Sequence, residues 1–312
     1  MRILVVGAGA IGGYFGGRLL EAGRDVTFLV RPARAEALRR TGLVIRSPLG
    51  DCSIPSPPLV VASDLRGPFD LILLSCKAYD LESAITSLAP AVGSGTAILP
   101  LLNGMGHLDR LAERFGREAV LGGQCVISAD LDSAGTIVHL NDLHLLSFGE
   151  LAGGVSSRVR AIAAAMAGAR FEGRASENIV QEMWEKWIFI AAFAGITCLM
   201  RAPIGDIVSA GGADLASTLL DECTAIALAA GQGPRTDFLS RAKGMLTAEG
   251  SPIAASMLRD IERGAPIEAA QILGDLLARR PPVAGPDRSL LRIAATHLRA
   301  YEARRAVRGS SL

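Results

Sequence analysis

The stretch from Met1 to Gly17 constrains the fold of this chain more than any other. Ile3 to Val6 is a short apolar run rich in β-branched residues, the composition of a strand buried on both faces. Gly7, Gly9 and Gly12 follow at the G-x-G-x-x-G spacing, and Ile11 to Ala22 reads as a helix. Each glycine has its own reason in a dinucleotide site. Gly7 allows a tight turn, Gly9 lets backbone approach a pyrophosphate, and Gly12 lets helix and strand pack closely. The start of the helix then offers unpaired N–H groups and a partial positive charge to the phosphates. Glycines at this spacing also serve ordinary turns. The strand before them and the helix after them make Gly7, Ala8, Gly9, Ala10, Ile11 and Gly12 a nicotinamide or flavin dinucleotide loop.

A chain of 312 residues has room for a large core and two domains. With 50% apolar and 20% charged residues the composition is globular, and a net charge of +1 gives no field that would gather nucleic acid or a membrane surface. The sparse aromatic residues are not interleaved with basic ones, which also argues against single-strand nucleic-acid binding. The 5 cysteines, Cys52, Cys76, Cys125, Cys198 and Cys223, form no C-x-x-C pair. Reduced thiols in a cytoplasmic protein are therefore expected, rather than disulfides or a zinc site. His107, His139, His144 and His297 show no ligand spacing, and no metal is expected. The N-terminal apolar run is too short for a signal peptide. The apolar stretch Trp187 to Met200 is shorter than a membrane span and reads as a buried core helix.

Asp25 to Val30 reads as a second buried strand, ending at Arg31. NAD-specific sites carry Asp or Glu near this point for the ribose 2′-hydroxyl. This chain has Arg31, with Arg34 behind it and no carboxylate until Glu36. A guanidinium suits a 2′-phosphate and so selects NADP over NAD. The competing reading is a solvated arginine after a strand. Gly42 to Ala62 reads as short strands broken by Pro48, Pro55, Pro57 and Pro58. Phe69 to Cys76 is a buried strand that delivers Lys77, and Ala97 to Leu102 is one that delivers Asn103. Ligands of open parallel sheets sit at the carboxyl ends of the strands. Gly7, Arg31, Lys77 and Asn103 therefore converge on one crevice.

Residues 119 to 150 read as strands completing the same sheet in mixed or antiparallel fashion. A helix over Val155 to Ala167 and a short return to Ala175 follow. Helical periodicity then dominates, over Asn178 to Arg201, Ala213 to Ala230, Thr236 to Leu246, Pro266 to Ala278 and Asp287 to Val307. The expected fold class is α/β. An N-terminal Rossmann-type dinucleotide-binding domain spans residues 1–172, and a C-terminal all-α substrate and catalytic domain spans 173–312.

Several motifs occur in a telling order: Gly7-Ala-Gly-Ala-Ile-Gly-Gly, Ser75-Cys-Lys-Ala-Tyr, Leu102-Asn-Gly-Met-Gly, Gly135-Thr-Ile-Val-His, Trp184-Glu-Lys-Trp and Ser256-Met-Leu-Arg-Asp-Ile, then Glu268. Over nearly its whole length the chain resembles the ketopantoate reductase (2-dehydropantoate 2-reductase) family. The resemblance implies an NADPH-dependent oxidoreductase that reduces a 2-oxo acid, ketopantoate to pantoate, in pantothenate biosynthesis. It implies Lys186 as proton donor to the substrate carbonyl, and Lys77, Asn103 and Glu268 as cofactor contacts. It also implies that Asn103 lies near the substrate and that Ser256 contacts it. The chemistry agrees, because hydride arriving at a carbonyl carbon builds negative charge on oxygen, and a positioned acid there lowers the barrier. Taken singly, each residue has a plainer reading. Lys186 could snorkel at a helix flank, Asn103 could open a turn, and Lys77 could be a charged strand end. Ser256 could cap a helix, and Glu268 after Pro266 could favour a helix N-terminus. The resemblance also implies pairing of subunits through the helical domain; the residues leave monomer and homodimer open.

The resemblance breaks at one place. Members that reduce ketopantoate carry asparagines one and two turns after the lysine, for the substrate's carboxylate and hydroxyl. This chain has Ile190 and Ala194 there. Residues at i+4 and i+8 lie on the lysine's face, so a polar wall has become apolar. Each substrate group left unpaired against it costs about 1–3 kcal/mol. The expected substrate is a 2-oxo acid or related carbonyl compound with a less polar arm than ketopantoate. An NADP-dependent dehydrogenase working in reverse on a hydroxy acid would use the same residues. A non-catalytic NADP(H)-binding sensor is the alternative of another class, and retention of Lys186 counts against it.

Overall fold

The structure, a computed structural model, describes residues 1–282 and 287–309. Strand β1 (Arg2–Val6) is buried from Ile3 onward and leads through the glycine loop into α1 (Ala10–Glu21). β2 (Asp25–Leu29) and α2 (Pro32–Thr41) come next, with Pro32 in the first helical turn, where its missing N–H has no intrahelical partner to lose. The proline-punctuated region yields β3 (Leu43–Arg46), β4 (Cys52–Ile54) and β5 (Leu59–Val60). Then follow β6 (Leu71–Leu74), α3 (Leu81–Leu88), β7 (Ala97–Pro100) and α4 (Gly106–Phe115). β5, β2, β1, β6 and β7 lie side by side in that order, all parallel. β6 and β7 are buried along their whole length, as unbroken apolar strands in a parallel sheet must be.

β8 (Leu121–Leu131) and β9 (Ile137–Glu150) form a long antiparallel pair, followed by α5 (Ser157–Met166) and β10 (Glu172–Ala175). The expectation that residues 119–150 complete the first sheet is corrected here. They build a second sheet, in the order β10-β9-β3-β4 with β8 on β9. Among the described residues, the ladder bonds link it to the first sheet at the single bridge Ile98–Val120. The reason lies in α1, which is packed on two sides. A Cβ on Gly16 would stand 2.6 Å from the Phe28 ring of β2, and one on Gly17 would stand 2.8 Å from Ile45 and 2.9 Å from Leu43 of β3. A helix with bare backbone on both flanks needs a second layer to exclude water, and the second sheet supplies it. Tyr14, Phe15, Leu19, Phe28, Ile45 and Phe148 share the resulting core.

The remaining chain is helical: α6 (Ile179–Met200), α7 (Ile204–Ser209), α8 (Ala213–Ala229), α9 (Thr236–Leu246) and α10 (Ser256–Glu262). A π-helical segment, Ala270–Gly274, runs into α11 (Asp275–Ala278), and α12 (Leu290–Gly309) closes the described chain. The helix expected from Pro266 starts only at Ala269. The last helix starts at Leu290 rather than Asp287, because the Asp287 carboxylate instead receives the Ser289 amide at 3.0 Å. By length and composition α6 is apolar enough to cross a bilayer, but 67% of its apolar window is buried within the protein, as in a core helix. Internal contacts divide the chain into one unit of residues 1–102 and 107–180 and another of residues 103–106 and 181 onward. The cut falls later than residue 172 because β10 stays paired with β9. The tail of the 173–312 expectation, residues 310–312, lies outside the described residues, as do residues 283–286.

Candidate functional site

In the first unit the glycine loop leaves the carboxyl end of β1. Gly7 has φ +94°, and its amide donates to the Leu29 carbonyl of β2 at 2.9 Å. The first helical bond runs from the Gly13 amide to the Gly9 carbonyl at 2.8 Å, so the amides of Ala10, Ile11 and Gly12 lie ahead of the helical ladder. No side chain caps this end, and no acidic residue occupies the first turn. Nothing stands within 4 Å of where a Cβ on Gly9 would be. Gly12 is the opposite case: its Cβ would lie 2.2 Å from the Gly7 carbonyl oxygen and 2.1 Å from Ser75 Oγ. Open space over Gly9, a closed floor under Gly12 and a bare helix start fit a dinucleotide pyrophosphate.

Three side chains frame the loop. The Ser75 hydroxyl donates to the carbonyls of Val6 at 2.9 Å and Gly7 at 3.2 Å, fixing the turn from below. Arg34 Nε donates to the Ala8 carbonyl at 3.1 Å and its Nη2 to the Gly135 carbonyl at 3.3 Å, tying the loop to the β8–β9 turn. Burial pushes this guanidinium below its usual pKa. Arg31, one residue past Val30, is exposed, and its Nη2 stands 2.5 Å from Asp80 Oδ1. Lys77 is exposed at the carboxyl end of the β6 segment, and its carbonyl accepts the Asp80 amide at 2.9 Å.

The second unit holds the other expected residues. Lys186 is half-buried on α6 between two anchored neighbours. On one side, Glu185 is 3% exposed and accepts from the Arg235 amide at 2.9 Å, Arg235 Nε at 2.8 Å and Gln181 Nε2 at 3.2 Å. Burial pushes the Glu185 carboxyl up, yet the bonds from Arg235 and Gln181 outweigh it and hold the group below the usual carboxylate range. On the other side, Trp187 is 1% exposed and its Nε1 donates to the Ile272 carbonyl of the π segment at 2.8 Å. The same segment receives the turn after Asn103. Gly104 has φ +79°, and a Cβ there would stand 2.9 Å from the Gln271 carbonyl and 3.8 Å from Trp187 Nε1. Asn103, the Lys186 turn and the segment just after Glu268 are thus neighbours, and Glu268 itself is 9% exposed. π-helical turns of this kind recur at functional sites.

Ser256 lies on a different helix, α10. It is exposed as the first residue of α10, and the cap position belongs to Ala255, whose amide donates to Thr197 Oγ1 of α6 at 3.4 Å. Its hydroxyl is therefore not used as a helix cap. Ile190 is half-buried and Ala194 is 3% exposed, one and two turns along α6 from Lys186. The cysteines are free thiols among the described residues, and burial pushes Cys198 up to about 12, far from a reactive thiolate.

Residues 3–153 match the family model "Ketopantoate reductase PanE/ApbA", and residues 178–280 match "Ketopantoate reductase PanE/ApbA C terminal". The chain is 39% identical over 306 residues to the uncharacterized oxidoreductase YkpB of Bacillus subtilis, covering 97% of this chain and 99% of that one. A crystal structure of 2-dehydropantoate 2-reductase from Methylococcus capsulatus is similar at TM-score 0.84 and 31% identity, over 98% of both chains. The ternary structure of D-mandelate dehydrogenase with NADH and anilino(oxo)acetate shares the fold at TM-score 0.86 and 20% identity, over 98% of this chain and 100% of that one. Matched across both of its units, the chain belongs to the ketopantoate reductase family of NADPH-dependent oxidoreductases.

Proposed function

We propose that this protein reduces a 2-oxo acid with a hydrocarbon arm, using NADPH and the proton of Lys186. The glycine loop and the start of α1 receive the pyrophosphate, Arg31 the 2′-phosphate, and Lys77, Asn103 and Glu268 hold the cofactor further along. A bound reduced nicotinamide supplies hydride from C4 to the carbonyl carbon. Lys186 Nζ donates a hydrogen bond to the carbonyl oxygen, stabilises the charge that builds there and passes its proton to it, leaving a hydroxy acid. Asn103 and Ser256 contact the substrate. The clamps on Glu185 and Trp187 support this role, since they hold the helical turn that bears the lysine and so fix where its ammonium points.

The observation that carries the substrate assignment is the face of α6 that continues from Lys186. Ile190 and Ala194 place hydrocarbon where a ketopantoate hydroxyl and carboxylate would want amides. Solvated polar groups lose their water there without replacement, whereas an alkyl or aryl arm gains contact. Initial rates of NADPH oxidation with ketopantoate and with 2-oxo acids bearing alkyl or aryl arms test this. The expected result is a kcat/KM at least tenfold higher for an apolar substrate, and Ile190→Asn should shift that ratio back toward ketopantoate. Ketopantoate turned over fastest by the native enzyme would refute the assignment and restore a role in pantothenate synthesis.

A further inference from the structure

We propose that Asp80 sets the balance between NADPH and NADH by competing with the 2′-phosphate for Arg31. The inference rests on the assignment of Arg31 to that phosphate. Sheet order puts β2 and β6 on the two sides of β1. Arg31 follows β2, and Asp80 ends the short turn Ala78–Asp80 after β6, held by its amide on the Lys77 carbonyl at 2.9 Å. Their ion pair, 2.5 Å from Nη2 to Oδ1, therefore spans the carboxyl end of β1, where the glycine loop leaves the sheet. The arginine side chain is 69% exposed and the aspartate 31%, so a ligand in the crevice reaches both.

The rest of the segment singles out this pair. Arg34 is engaged by the carbonyls of Ala8 and Gly135, which leaves Arg31 as the guanidinium offered at the end of β2. The carboxylate that meets it comes from another strand, at a place where no ribose-binding acid was legible in the sequence. A 2′-phosphate is a dianion and must share or displace Asp80, whose charge repels it across a few ångströms. A 2′-hydroxyl carries no charge and meets in Asp80 an acceptor. Asp80 thus weakens NADPH and not NADH, and it narrows a preference that Arg31 alone would make steep.

Dissociation constants for NADPH and NADH, measured by fluorescence titration without substrate, test this on the native protein and on Asp80→Asn, Arg31→Ala and the double variant. The expected result for Asp80→Asn is a ratio of NADH to NADPH constants raised about threefold or more, the scale of an exposed ion pair. Arg31→Ala should lower the ratio, and Asp80→Asn should then raise it by a smaller factor in the Arg31→Ala background, where the competition for Arg31 is gone and only the carboxylate's own effect on the ribose substituent remains. An Asp80→Asn ratio that stays level or falls, while Arg31→Ala still lowers it, overturns the role of Asp80 and leaves Arg31's intact. A ratio unchanged by Arg31→Ala overturns the phosphate assignment, and this proposal with it. Asp80→Ser removes the charge with a different volume and replaces the asparagine variant if that one disturbs the turn.

Discussion

At Gly9 and Gly12, three residues apart, the same substitution should have two different consequences. A methyl on Gly12 meets backbone, the Gly7 carbonyl at 2.2 Å, and backbone cannot step aside as a side-chain tip can. Gly12→Ala is therefore expected to lower stability by about 1–3 kcal/mol, as overpacking does, and to weaken NADPH binding through the displaced loop. A methyl on Gly9 meets nothing within 4 Å. Gly9→Ala should melt with the native protein yet bind NADPH more weakly, because it fills the space a pyrophosphate needs. Thermal melts beside NADPH titrations check both; equal melting of the two variants would contradict the geometry. These glycines were legible because their meaning is written in local spacing. Ser75 and Arg34 were not read as supports of the loop, nor Asp80 as the partner of Arg31, because these bonds join residues dozens of positions apart. Only the motif beginning at Ser75 hinted at one of them.

Helix α6 bears Lys186, and at the scale of the element its orientation depends on what pins that turn. The buried Glu185 carboxylate and Arg235 form one pin, between residues 50 apart in sequence. Nothing local in the chain announces it. Replacing Glu185 by Gln keeps the shape but leaves Arg235 without its counter-charge, although the 61% exposure of that arginine side chain softens the loss. About 2 kcal/mol of destabilisation at pH 7 is expected, below the full cost of breaking a buried pair. The pH dependence has a definite sign. A carboxyl held low in the folded state contributes fully above its unfolded pKa, about 4.3 for Glu. That contribution is lost as pH falls through this value toward the folded one. The gap between native and Glu185→Gln stabilities should therefore be widest near neutrality and close on acidification, in denaturant melts run from pH 7 down to pH 3. A gap that widens in acid would contradict the assignment. The π segment was equally hidden: the sequence pattern reads as an ordinary helix from Pro266, and the wider turn shows only where Trp187 and Gly104 meet its carbonyls.

For the whole molecule, the alternation of buried strands and helices made a parallel sheet legible, and the apolar periodicity after Ser176 made a helical second half legible. The second sheet was not. An alternating pattern in Ile137–Glu150 says strand but not which partner, and β3, which joins it in parallel, lies some ninety residues earlier in a proline-broken stretch. The clue was Gly13, Gly16 and Gly17 on α1, too many bare positions for a helix covered on one side only. The departures at Ile190 and Ala194 were legible because the family resemblance supplied a pattern to depart from. The glycine loop lies in one unit and Lys186 in the other. The most direct measurement compares Lys186→Ala with the native protein, following both the dissociation constant for NADPH and turnover of the best 2-oxo acid. Turnover should fall by about 10²–10⁴ while the NADPH constant stays within about twofold, since a proton donor acts on the reaction and not on the cofactor. Undiminished turnover, or a loss matched by lost NADPH binding, would contradict Lys186 as the proton donor.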